Sequence, residues 1–217
     1  MRTIAIVAGG PNSNIPELEQ YNKEIDLWIG ADKGALTLIQ SGVTPDIAIG
    51  DFDSLDEKEK QLVQEKSIEF QCHPIEKDET DLEIAINYAI EKCPCDLYLF
   101  GGTGGRLDHE LANIQLLYKL KEKNINGVII DENNWIELRF PGTHTIENDS
   151  NYKNISFLPF SNKVIGISLE GFYYKLNNKN IFWGSTLCIS NTLLNEKGYY
   201  SFREGILLVI KSRDVLI

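Results

Sequence analysis

Short apolar runs recur through the first part of the chain, at Thr3–Ala8, Leu27–Gly30, Ile47–Gly50, Ile68–Cys72, Leu97–Phe100 and Val128–Ile130. Each reads as a strand, and their alternation with helical stretches suggests a parallel sheet. Between them the apolar period lengthens to that of helices. Leu82, Ala85, Ile86, Ala89 and Ile90 fall on one face, as do Leu107, Leu111, Ile114 and Tyr118, and both stripes predict core-facing helices. Beyond about Phe140 the helical period vanishes. Runs at Ile155–Leu158, Val164–Leu169, Phe172–Leu176, Thr186–Ile189, Tyr199–Phe202 and Ile206–Ile210 remain, punctuated by turn signals such as Asn177-Asn178 and Lys197-Gly198. The pattern predicts an α/β chain: an N-terminal Rossmann-like parallel-sheet domain over residues 1–140, then a C-terminal antiparallel β-sandwich over 141–217.

Composition narrows the class. Of 217 residues 42% are hydrophobic, enough for a large core and against intrinsic disorder. Thirty-two acids against 21 bases give a net charge of -11, which argues against a nucleic-acid partner. No run approaches the roughly 18 apolar residues of a membrane helix, and the start of the chain lacks a signal-peptide pattern, so a cytoplasmic setting is expected. Cys72, Cys93, Cys95 and Cys188 are too sparse for a disulfide scaffold, and His73, His109 and His144 lack zinc-ligand spacing.

In a parallel α/β sheet ligands bind beyond the carboxyl ends of the strands, and here those ends are acidic. Ala31-Asp32-Lys33-Gly34-Ala35, Gly50-Asp51-Phe52-Asp53-Ser54, Lys77-Asp78-Glu79-Thr80-Asp81 and Gly101-Gly102-Thr103-Gly104-Gly105-Arg106-Leu107-Asp108-His109 follow successive strands. From Asp46 to Glu83 there are 13 acids and 4 lysines. The alternating charges between Asp56 and Lys66 suit a solvated helix face. Asp51 and Asp53, two apart in an extended turn, can instead share a hard cation together with Asp81 and Asp108, and magnesium is the natural candidate. The glycine stretch matches neither a P-loop nor a dinucleotide fingerprint, but it can let a phosphate approach helix amides, with Arg106 as partner.

These motifs resemble the thiamine pyrophosphokinase (thiamine diphosphokinase) family. The resemblance extends to Gly-Gly-Arg-Leu-Asp-His-Glu-Leu-Ala-Asn at 104–113, to Gly171-Phe172-Tyr173-Tyr174-Lys175-Leu176 and to Ser190-Asn191-Thr192. It implies transfer of a pyrophosphoryl group from ATP to the hydroxyl of thiamine, giving thiamine diphosphate and AMP. It also implies a magnesium requirement and a homodimer with active sites between subunits. Residues 1–140 would then be the catalytic, ATP- and Mg-binding domain and 141–217 the thiamine-binding and dimerisation domain. By position, Asp51, Asp53, Asp81 and Asp108 match catalytic carboxylates, the first three as metal ligands. Asp32, Lys33, Lys77, Gly102, Gly105, Arg106 and Asn113 match the ATP side. Tyr174, Ser190 and Asn191 match the thiamine side, with Tyr174 where relatives often carry tryptophan.

Attack at the β-phosphorus needs neutralisation of spreading charge and a carboxylate to accept the alcohol proton, and spacing does not single out which aspartate that is. Three other readings start from the same residues. A pyrophosphokinase for another heterocyclic alcohol would share the metal edge. Asp51-Phe52-Asp53 also opens the haloacid dehalogenase class of phosphatases, although no late strand ends in paired aspartates. A non-catalytic thiamine-binding module would not need the acidic edge.

Overall fold

The N-terminal apolar runs lie side by side as parallel strands: β1 (Thr3–Val7), β2 (Leu27–Ala31), β3 (Ile47–Gly50), β4 (Glu69–Cys72), β5 (Asp96–Phe100) and β6 (Asn126–Ile130). Their spatial order is β4-β3-β2-β1-β5-β6. This computed structural model describes residues 2–214. The chain divides into two units, Met1–Glu132 and Asn133–Ile217.

In the first unit, helices α1 (Lys33–Gln40), α2 (Glu57–Lys66), α3 (Asp81–Glu91) and α4 (Leu107–Glu122) connect the strands. Ile4, Ala5, Ile6 and Val7 are wholly buried, as expected of a parallel strand covered on both faces. The charged run at 56–66 is α2, closed by a capping box between Asp56 and Glu59, with Val63 its one buried residue. On α3 the expected stripe holds, with Leu82, Ala85, Ile86 and Ala89 buried.

The α4 stripe corrects the sequence reading. Leu107 is 68% and Leu111 52% exposed, and the inward row is instead Asn113, Leu117 and Leu120. Leu117 and Leu120 lie against Gly127 of β6, where the absent side chain makes room for them. Asn113 spends an inward position on a hydrogen bond, which an apolar period cannot register.

Strand order reverses about β1, whose neighbours are β2 and β5. That is the topological switch point of an open α/β sheet, where loops on either side diverge and leave a crevice. Backbone bonds close its floor, from Ala8 N to Phe100 O at 2.8 Å and from Gly10 N to Gly101 O at 3.0 Å.

In the second unit, β7 (Asn134–Arg139), β13 (Leu207–Ser212) and β9 (Asn154–Pro159) pair antiparallel in the order β7-β13-β9. β11 (Leu176–Phe182), β10 (Lys163–Glu170), β12 (Lys197–Phe202) and β8 (Gly142–Glu147) form a four-stranded sheet in the order β11-β10-β12-β8. Ile155, Phe157, Leu207 and Val209 from the first set share one core with Val164, Ile167, Tyr200 and Phe202 from the second. β7 groups with this unit because it pairs residue for residue with β13, from Asn134 with Ser212 to Arg139 with Leu207.

Two expected strands are turns instead. Phe172 is buried and bridges to Leu193, but Tyr173 to Lys175 form an exposed turn, and residues 186–189 are also turn. The strand begins at Leu176 and runs through Asn177-Asn178, with Asn178 at φ 48° and the β10 register shifting nearby. A β-bulge in a polar edge strand carries the same residues as a reverse turn.

Candidate active site

A cavity of about 830 Å³ opens at the switch point, within the size range of small-molecule sites. Asp32, Lys33, Lys77, Asp81, Gly102, Gly105, Arg106 and Asn113 all line it.

One wall is the glycine loop, which the fold pins at several points. Gly101 has φ +66°, and a Cβ there would collide with the Ala8 carbonyl oxygen. Asn113 Nδ2 donates to Gly102 O at 2.8 Å. Thr103 Oγ1 donates to Asp131 Oδ2 at 2.6 Å, both residues being buried. Asp131 follows β6, and Glu132 N bonds Asn14 O at 2.8 Å, tying the loop after β1 to the same place. Sequence reasoning missed Thr103 and Asp131 as a pair, since nothing in a lone aspartate after a strand marks its partner.

Carboxylates gather around Asp32, which lines the cavity, whereas Asp51, Asp53 and Asp108 are not among its lining residues. Asp32, Asp51 and Asp53 each offer an oxygen, and these oxygens lie within 4.8 Å of one another. Local backbone explains why. Phe52, at φ 57°, is 1% exposed and stacks on Phe70 with ring centroids 4.6 Å apart. Phe52 takes the core position between them, so Asp53 is exposed while Asp51 is turned to Lys77, and Asp53 N donates to Asp51 Oδ1 at 3.1 Å. Asp32 joins them because β2 and β3 pair with Ala31 opposite Ile49, and Asp32 N donates to Ile49 O at 2.8 Å. Ser54 Oγ donates to Asp32 Oδ2 at 2.7 Å, whereas the buried Asp32 Oδ1 accepts no hydrogen bond among the described residues.

An unpartnered buried carboxylate oxygen beside two further carboxylates fits a hard divalent cation, for which such oxygens are the ordinary ligands. Asp32, assigned to ATP from sequence, thus stands with Asp51 and Asp53, and Asp81 reaches Asp51 through Lys77. The Lys77 ammonium donates to Asp51 Oδ2, lies 3.1 Å from Asp81 Oδ1 and donates to Pro74 O at 3.1 Å.

Charge sets the titration of the group. Burial would push the Asp51 carboxyl up, but Lys77 and the Asp53 amide outweigh it and hold it below the usual range. Asp53 is raised, chiefly by the Asp51 charge. Asp81 is raised by desolvation, which Lys77 only partly offsets.

Asp108 is engaged elsewhere. Its oxygens accept from Arg106 Nε at 3.1 Å and Nη2 at 2.6 Å, and the Arg106 bond lowers its pKa to about 2. It also accepts from His109 N at 3.0 Å, so the first turn of α4 already carries an anion.

The second unit has its own recess of about 340 Å³, lined in part by Tyr173, Tyr174, Leu187 and Asn191. Tyr174 is 62% exposed and meets the Tyr173 ring edge-to-face at 4.9 Å. Asn191 is buried and its amide is spent on the backbone of Tyr174, while Ser190 N bonds Ser156 Oγ and the residue does not line the recess.

Comparison with known proteins places these features. The family model described as "Thiamin pyrophosphokinase, catalytic domain" matches residues 18–129. A second, "Thiamin pyrophosphokinase, vitamin B1 binding domain", matches residues 143–207. The thiamine pyrophosphokinase of Bacillus subtilis is 49% identical over 214 residues, covering 99% of this chain and 100% of that one. This chain belongs to the thiamin pyrophosphokinase family.

The solved structure of the Bacillus subtilis thiamine pyrophosphokinase aligns with a TM-score of 0.94 at 48% identity, over 99% of this chain and 100% of that one. That of the Geobacillus thermodenitrificans family member gives 0.89 at 43%, over 98% of each. The acidic trio, Lys77 and the glycine loop fall inside the match to the family's catalytic domain, and Tyr174, Ser190 and Asn191 inside its vitamin B1 binding domain. No helix among the described residues is long and apolar enough to cross a membrane.

Proposed function

We propose that the chain transfers the pyrophosphoryl group of ATP to the hydroxyl of thiamine, producing thiamine diphosphate and AMP. The observation that carries this is the Asp32-Asp51-Asp53 group, with its unpartnered oxygen, in a family member whose switch-point cleft has room for a nucleotide. The glycine loop, Lys33 and Arg106 receive the nucleotide, with bare backbone where phosphates must come close. Asp32, Asp51 and Asp53 would hold magnesium, which when bound would neutralise charge on the transferred group and on AMP. Asp108, held near pKa 2 with its oxygens turned to Arg106, is the poorest of the carboxylates to accept the thiamine proton. Asp81, raised and lining the cleft, is the best placed.

Thiamine binds in the second unit against Tyr174, whose open face suits a flat cationic ring. Exposed Tyr173, Phe182 and Trp183 offer apolar surface for a second copy, consistent with a homodimer whose sites are built from two chains. Free cysteines fit a cytoplasmic enzyme. Incubation with ATP, magnesium and thiamine, followed by mass identification, should give AMP and thiamine diphosphate in equal amounts. Formation of ADP, or release of phosphate alone, would overturn the assignment.

A further inference from the structure

Lys77 lines the cleft, yet its ammonium is already held by protein oxygens. It donates to Asp51 Oδ2 and Pro74 O and is ion-paired with Asp81, whose Oδ1 lies 3.1 Å away. The lysine and its partners are well shielded, with side-chain exposures of 12% for Lys77, 9% for Asp51 and 23% for Asp81. A single positive charge therefore already sits where two carboxylates of the cluster meet. A divalent cation ligated by Asp51 would lie within a few ångströms of it, and two cations cannot share that carboxylate without strong repulsion.

We infer that Lys77 is an exchangeable internal counter-ion: it holds Asp51 and Asp81 while the metal site is empty, and it gives up Asp51 when a divalent cation binds. The inference rests on the metal reading proposed above. Release has a direction. Lys77 is on the wall of the nucleotide cleft, so an ammonium freed from Asp51 has incoming phosphate oxygens as its nearest alternative partners. One side chain then keeps an acidic cluster folded without metal and couples metal entry to nucleotide binding.

The exchange predicts that removing the competitor strengthens metal binding. The probe is Mn²⁺ alone, titrated into nucleotide-free protein and followed by the electron paramagnetic resonance of the free ion. Lys77→Met should bind Mn²⁺ about tenfold more tightly than the unmodified chain, because loss of one adjacent positive charge is worth at least that much in a shielded site. Lys77→Gln, which keeps a polar head, carries the same expectation should the methionine variant fail to fold. Lys66→Met removes an equal charge from the exposed end of α2 and should change the affinity less than about twofold.

Thermal unfolding gives a second readout. Metal-free Lys77→Met should melt below the unmodified chain, and saturating Mn²⁺ should raise its melting point by more. Mn²⁺ binding to the Lys77 variants at unchanged or weaker affinity would overturn the exchange and leave the metal site standing. Absence of Mn²⁺ binding in every protein, unmodified chain included, would overturn both.

Discussion

The side-chain amide of Asn191 brackets the backbone of Tyr174, accepting from its N–H at 3.0 Å and donating to its carbonyl at 2.9 Å. Asn191 Oδ1 also accepts from Thr192 N at 2.9 Å. The asparagine is buried while the tyrosine ring is open, so the pair works as a clamp and a displayed face. Asn191→Ala leaves part-buried backbone groups unpaired and should cost about 1 kcal/mol in urea unfolding. The KM for thiamine should rise while the KM for ATP stays put. Equal changes in both would mean that the clamp only supports the fold.

The Thr103 to Asp131 bond predicts the converse. Thr103→Val keeps the shape but removes the donor to a buried carboxylate, at a cost of about 1–3 kcal/mol. The glycine loop should loosen, so ATP affinity by calorimetry should fall several-fold with thiamine affinity unaltered. Unchanged ATP affinity would detach the loop's anchorage from nucleotide binding.

Arg106 and Asp108 give a prediction in pH. The Arg106 bond lowers the Asp108 carboxyl from 3.8 to about 2. A depressed folded-state value means that the pair contributes above pH 3.8 and is lost as pH falls towards 2. Carbon NMR of the labelled side chain should show Asp108 titrating near 2, and Arg106→Gln should return it to the ordinary range. Both groups are on the surface, so the effect on stability should be small. A carboxyl that titrates normally in the unmodified protein would mean that the guanidinium is not closed on it in solution.

Much of this was legible before any coordinates. Buried parallel strands announce themselves as continuous apolar runs, and β1 and β3 fall where Thr3–Ala8 and Ile47–Gly50 placed them. The motif loops were legible because a switch-point fold gathers strand ends. Asp32 was harder to assign, since its place beside Asp51 comes from the β2 to β3 register, a relation between segments rather than within one. The outward face of α4 was misread for a similar reason: Asn113 holds an inward position only because Gly102 O needs a donor there. β11 escaped notice because an edge strand with one solvent-facing side can be built from Asn and Lys.

The most direct measurement is AMP formation by Asp32→Asn and Asp53→Asn at saturating magnesium, ATP and thiamine, with folding verified by circular dichroism. Each substitution keeps the size of the side chain and removes a ligand charge. If the three aspartates hold the metal that neutralises the transferred group, both variants should lose on the order of 100-fold or more in turnover with thermal melting nearly intact. Near-normal turnover in either folded variant would contradict the account.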